Sequence, residues 1–69
     1  MTQKELLYVE DAIGHEKVII SNLEDLINCL SDDNIKNYVQ KEIKTHKKME
    51  NNLMSLLEDN VNEWSNVTR

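Results

Sequence analysis

A chain of 69 residues has room for one domain and not for separate catalytic and regulatory units. With no Pro, no Phe and one Gly, it lacks the turn formers and aromatic strand residues that a β protein needs, which leaves helices. Eight Lys and Arg against 13 Asp and Glu give a formal net charge of −5, a field that repels nucleic acid.

A domain this small buries only roughly 60% of the surface its unfolded chain exposes, so it needs a staple or a partner. The single cysteine, Cys29, cannot close a disulfide within the chain, and oligomerisation is the remaining device. The basic cluster Lys41, Lys44, Lys47 and Lys48 is diluted by Glu42 and Glu50 and reads as a solvated helix face, not a binding patch. No apolar run approaches the roughly 20 residues that span a bilayer. The opening residues Met1 to Glu5 carry no apolar leader, so the expectation is a cytoplasmic protein with a reduced Cys29 and neither membrane nor nucleic-acid partners.

The first predicted element is a helix over about residues 3–30. Leu6, Val9, Ile13, Glu16, Ile20, Leu23, Ile27 and Leu30 follow alternating steps of three and four, a heptad seam interrupted once, by Glu16. Ala12, Ile19 and Leu26 stand one position before Ile13, Ile20 and Ile27 and widen the apolar face. A face this broad suits a bundle better than a two-stranded coil.

A turn is predicted at residues 31–32, within the polar run Ser31-Asp32-Asp33-Asn34. Asp32 is the N-cap candidate, and Asp33 adds negative charge at the positive end of the helix dipole. Without Gly or Pro the link must use ordinary dihedrals, and a short link between long helices makes them antiparallel neighbours.

The second helix is predicted over about residues 33–64, with a seam of Ile35, Val39, Glu42, His46, Met49, Leu53 and Leu56. Leu57, Val61 and Trp64 then drift off that line, as a helix of 3.6 residues per turn does against a 3.5 repeat. Trp64 is expected to cover a bundle end, and the last residues, from Ser65 on, to fray. The whole chain, 1–69, is read as one all-α domain, an antiparallel two-helix hairpin. Folding at Asp32 sets Leu30 against Ile35, Ile27 against Val39, Ile20 against His46 and Ile13 against Leu53. Each helix should be about 40 Å long at 1.5 Å per residue. The stripe of Ala12, Ile19 and Leu26, with Tyr38, stays uncovered in a lone hairpin, so a homodimer closing a four-helix bundle is expected.

Glu16, Glu42 and His46 are polar residues on the two seams. A buried carboxylate needs a pairing or coordinating partner. The register brings the three within a few ångströms, with Glu50 one turn further on. They are read as a paired polar layer that fixes register. The alternative is a metal centre for iron, manganese or zinc, since a dimer would gather four Glu and two His, the ligand count of ferritin-like carboxylate sites. Those sites use Glu-x-x-His, whereas Glu42 and His46 are one residue further apart. His15 is expected at a partly exposed margin, Cys29 as a buried or half-buried inert thiol, and Met49 and Met54 as core fillers. With no phosphate loop, nucleophilic set or Cys pair, no enzymatic activity is expected.

The segment Glu5-Leu6-Leu7-Tyr8-Val9-Glu10-Asp11-Ala12-Ile13-Gly14-His15-Glu16 resembles the opening of small clostridial spore coat proteins related to the coat protein F family of ferritin-like bundles. Leu30-Ser31-Asp32-Asp33-Asn34-Ile35-Lys36 is similar to that family's Leu-x-Asp-Pro-Glu-Leu-Lys turn, with Asp33 where the family has proline. Thr45-His46-Lys47-Lys48-Met49 is similar to its Lys-His-x-x-His stretch, with Met49 at the second histidine. The likeness covers about residues 5–57. It implies a helical bundle in a spore-forming cell, incorporated into a spore layer. Three roles follow as expectations: a dimeric structural or interaction protein, as a spore coat component; a ferritin-like metal binder using Glu16, Glu42 and His46; or a regulatory hairpin docking on another protein's helices.

Overall fold

The computed structural model describes the backbone of residues 1–67 and the side chains of residues 1–60. Two helices make it up: α1, Gln3–Cys29, and α2, Asp33–Val67. They pack along their length as a hairpin about 55 Å long and 15 by 13 Å across. Among the described residues there is no strand. At 35 residues α2 is longer than the sequence pattern suggests, and its backbone stays helical past Trp64 to Val67. The expected end cover by Trp64 concerns a side chain outside the described residues, as does the placement of Val61.

Local chemistry explains where the helices start. Thr2 caps α1: its hydroxyl accepts from the Glu5 amide at 3.1 Å, and its own amide donates to the Glu5 carboxylate at 2.8 Å. This reciprocal capping box satisfies two amides that would otherwise lack partners. It was legible as Thr-x-x-Glu, a signal the heptad reading passes over. The Thr2 amide holds the Glu5 carboxyl below its ordinary value, because the bond favours the charged form; the Thr2 hydroxyl acts in the same direction. Asp32 caps α2 as expected, accepting from the Ile35 amide at 3.0 Å. Leu30 leaves α1 in an extended conformation, and no residue of the described backbone has a positive φ. Three residues suffice to reverse the chain.

The α1 seam lies where the heptad pattern puts it. Ile13, Glu16 and Ile20 are buried, while Leu6, Val9, Leu23, Ile27 and Leu30 are half-buried. On α2 the structure corrects the sequence reading. Val39 and Ile43 are buried, and Lys36, His46, Glu50, Leu53, Leu57 and Asn60 are half-buried in steps of three and four. Ile35, Met49 and Leu56, all placed on the seam by the sequence pattern, are exposed instead. The helix is rotated so that the stripe one position later faces α1. Ile20, Val39 and Ile43 form the core cluster, with Leu23, Ile27 and Leu30 packed against it. Lys36 and Glu50 can stand on a seam because their aliphatic stems cover apolar surface while their charges reach water.

Two smaller expectations are corrected as well. Cys29, at the last turn of α1, is exposed and not half-buried, since that position faces away from α2. Met49 and Met54 are both exposed and fill no core within the hairpin.

Candidate functional site

The polar layer assembles at mid-length of the hairpin. Glu16 sits on the α1 seam between two buried isoleucines, Ile13 and Ile20, and is 8% exposed. Its Oε2 lies 2.6 Å from His46 Nδ1 across the helix interface. An ionised carboxylate only accepts, so Nδ1 carries the hydrogen and donates it. That assigns the tautomer and leaves Nε2 on the other side of the ring. Nε2 is 3.9 Å from Glu42 Oε2, one turn back on α2, which is too far for a hydrogen bond.

The three residues singled out from sequence thus meet, though unequally. Glu16 and His46 form a tight pair. Glu42 is the outlying member, its carboxylate more than a third open to solvent. Glu50, one turn beyond His46, is half-buried on the same seam. Every buried side-chain polar atom among the described residues has a hydrogen-bond partner, so the layer meets the condition that burial imposes. A satisfied pair of this kind specifies register, because sliding one helix by a turn would strand a carboxylate among isoleucines.

The metal reading depends on Glu16, Glu42 and His46 as ligands. One Glu16 oxygen and Nδ1 are already committed to each other, leaving Nε2, the second Glu16 oxygen and the Glu42 carboxylate. Among the described residues, no three His, Cys, Asp or Glu side chains are gathered so as to hold a metal ion. His15 is exposed, its Nε2 3.7 Å from Asp11 Oδ1 within the same helix, and it plays no part in the layer.

A groove runs along one side of the hairpin beside this layer, lined by Lys17, Ile20, Ser21, Glu24, Lys47, Glu50 and Asn51. Its walls mix both signs of charge. The other side is different in character: Ile19 and Leu26 of α1, with Ile35, Met49 and Leu56 of α2, are exposed there. The sequence reading found the α1 half of this surface, while the α2 half was hidden by its assignment to the seam. A signal existed, because Lys36, Val39, Ile43, His46, Glu50, Leu53 and Leu57 also keep strict steps of three and four. No described helix is long and apolar enough to cross a membrane. Comparison with known proteins found no family model that matches the chain, and no curated protein or solved structure significantly similar to it.

Proposed function

We propose that this chain is a small structural or interaction protein whose hairpin pairs with a second copy to close a four-helix bundle. The observation that carries this reading is the exposed apolar flank of Ile19, Leu26, Ile35, Met49 and Leu56. Among the described residues, the buried hydrophobic side chains are Ile13, Ile20, Val39 and Ile43. A core of that size is thin for a domain under about 70 residues, and covering the flank would enlarge it. The role asks for no catalysis, and the His46–Glu16 pair serves it as a register device. The resemblance of residues 5–57 to spore coat proteins supports deposition in a spore layer.

Sedimentation equilibrium of the purified chain tests the proposal, with a dimer as the expected result. Ile19→Asp and Leu26→Asp place an unpaired charge in the interface, which is strongly destabilising. Both variants should sediment as monomers or lose helicity at concentrations where the parent is dimeric. A parent that stays monomeric at high concentration, or two variants that keep a normal dimer, would refute it.

A further inference from the structure

We infer that copies of this protein also associate edge to edge, the outer face of α2 on one copy against the outer face of α1 on the next, in an open row. The contact uses surfaces away from the apolar flank, so it stands or falls separately from the homodimer.

In sequence, Lys41, Lys44, Lys47 and Lys48 are interrupted by Glu42 and Glu50. The structure separates the two signs. Glu42, beside His46, and Glu50, on the seam, are half-buried toward α1, while all four lysines are exposed. Lys41 and Lys48 follow the seam residues Val39 and His46 by two positions, about 200° round the helix, and so lie on the side away from α1. With Lys44 they form an exposed stripe whose steps of three and four continue through Asn51 and Ser55 to Glu58. Every ion pair among the described residues involves a histidine, so none of these lysines is paired within its own chain.

The outer face of α1 carries the opposite charges. Asp11, Val18 and Asp25 stand two positions before the seam residues Ile13, Ile20 and Ile27 and so lie on the side away from α2. Their stripe, exposed throughout, ends at Lys4, one turn before Leu7.

The loop joins Cys29 to Asp33, and Glu16 touches His46 lower down, which fixes the relative heights of the helices. On that scale Asp25 stands level with Asn37, Val18 with Lys44, Asp11 with Asn51 and Lys4 with Glu58. A neighbouring copy moved sideways, without rotation or axial shift, sets its α1 against the α2 of the first, antiparallel as within the hairpin. Its Asp25 then lies about one helical turn from Lys41, and its Asp11 within a turn of Lys48. Lys44 lays its aliphatic stem on the neighbour's Val18, which is 59% exposed in the single hairpin. The neighbour's Lys4 meets Glu58, with Asp59 beside it. Both stripes thus change sign toward the end away from the loop, and opposite charges face each other along the whole strip.

A twofold contact level with the basic stripe would set lysine against lysine. The sideways contact joins two different faces without closing, and so repeats as an open row. Each contact is about 32 Å long and one helix wide, which places it among weak interfaces that salt disperses. Copies of net charge −5 repel at a distance, but at about 0.1 M salt the screening length is about 10 Å, and the facing charges dominate at contact.

Sedimentation velocity over a range of protein concentrations tests this in about 0.1 M and about 1 M salt, the latter shortening the screening length to about 3 Å. In the lower salt the sedimenting species should grow beyond the dimer as concentration rises. In the higher salt that growth should vanish and the flank dimer remain. Lys41→Glu with Lys48→Glu should abolish the growth. Asp11→Lys with Asp25→Lys should abolish it too, although this pair brings the net charge nearer zero and would favour non-specific association. All four substitutions in one chain exchange the signs on both faces, keep the net charge of −5 and should restore growth. Circular dichroism confirms that each variant, changed only at exposed positions, stays helical. No growth in the parent, growth that survives the higher salt, or growth kept by either pair of substitutions overturns the inference and leaves the homodimer standing. A helical fourfold variant that fails to recover shows that the two faces do not meet, and overturns it as well. A parent that is monomeric in the higher salt refutes the homodimer alone.

Discussion

Replacing His46 with Leu isolates what the polar layer contributes. The change leaves the Glu16 carboxylate, whose side chain is 11% exposed, with no donor across the interface. Removing one partner of a fully buried ion pair costs about 3–5 kcal/mol. His46 is itself 22% exposed, which lets some water reach the carboxylate, so the lower end of about 3 kcal/mol applies. For a domain of this size that corresponds to a fall in Tm of at least about 12 °C, and it approaches the whole stability of a small core. Glu16→Leu alone should cost less, about 1–2 kcal/mol, because the stranded imidazole keeps water and Glu42 nearby. The double variant, Glu16→Leu with His46→Leu, replaces a buried pair by packed hydrophobes and should lie close to the parent. Glu42 need not be changed with them, since it stands beyond hydrogen-bond reach. Urea denaturation followed by circular dichroism, at one protein concentration, gives the four corners of the cycle. A coupling of about 2 kcal/mol or more is expected. If the two single losses simply add in the double variant, the residues do not act as a pair and the register argument fails.

At the start of α2, Asp32→Ala should cost about 0.5–2 kcal/mol through loss of the cap, and Asp33→Ala less, because only its interaction with the helix dipole is removed. A larger loss for Asp33→Ala would move the helix start by one residue. Gly14 lies inside α1 with nothing within 4 Å of where a Cβ would sit, so Gly14→Ala should stabilise by about 0.5–1 kcal/mol in thermal melts. A loss there would mean that something packs against this turn. The Glu5 carboxyl, held below its ordinary value of 4.5 by the Thr2 amide, contributes stability that is complete above that value and fades as pH falls through the lowered one. Carboxyl-carbon NMR should place the Glu5 midpoint below 4.5 in the folded chain and return it to that value in denaturing urea; a folded midpoint at or above 4.5 rules out the capping box.

Sequence alone determined the two helices, the turn between them and the face that α1 turns inward. Those features are local. A cap is a side chain within three residues of the amide it satisfies, as at Asp32 and at Thr2 with Glu5. The α1 pattern also offers one dominant seam, from Leu6 to Leu30, with a single interruption at Glu16. The approach of Glu16 to His46 was legible to within a helical turn, because a three-residue link fixes roughly which parts of the helices lie side by side; the structure sets Glu16 against His46 and packs Ile20, expected there, with Val39 and Ile43.

The rotation of α2 about its own axis was decided only by tertiary packing. Val39, His46 and Leu53 belong to the seam in either reading, and an apolar stripe lies on each side of them. Ile35, Met49 and Leu56 form one; Ile43 and Leu57, with Lys36 and Glu50, form the other. By composition the first is the more apolar, and the structure buries the second, with Ile43 against Ile20 and Val39. Periodicity gives the width of a helix's apolar face, but a two-helix contact uses only part of that width. Which part is set by the opposing helix and the link, through contacts between residues distant along the chain, such as Ile20 with Ile43. The remainder of the face, carrying Ile35, Met49 and Leu56, is left facing outward because one neighbouring helix cannot cover two stripes at once.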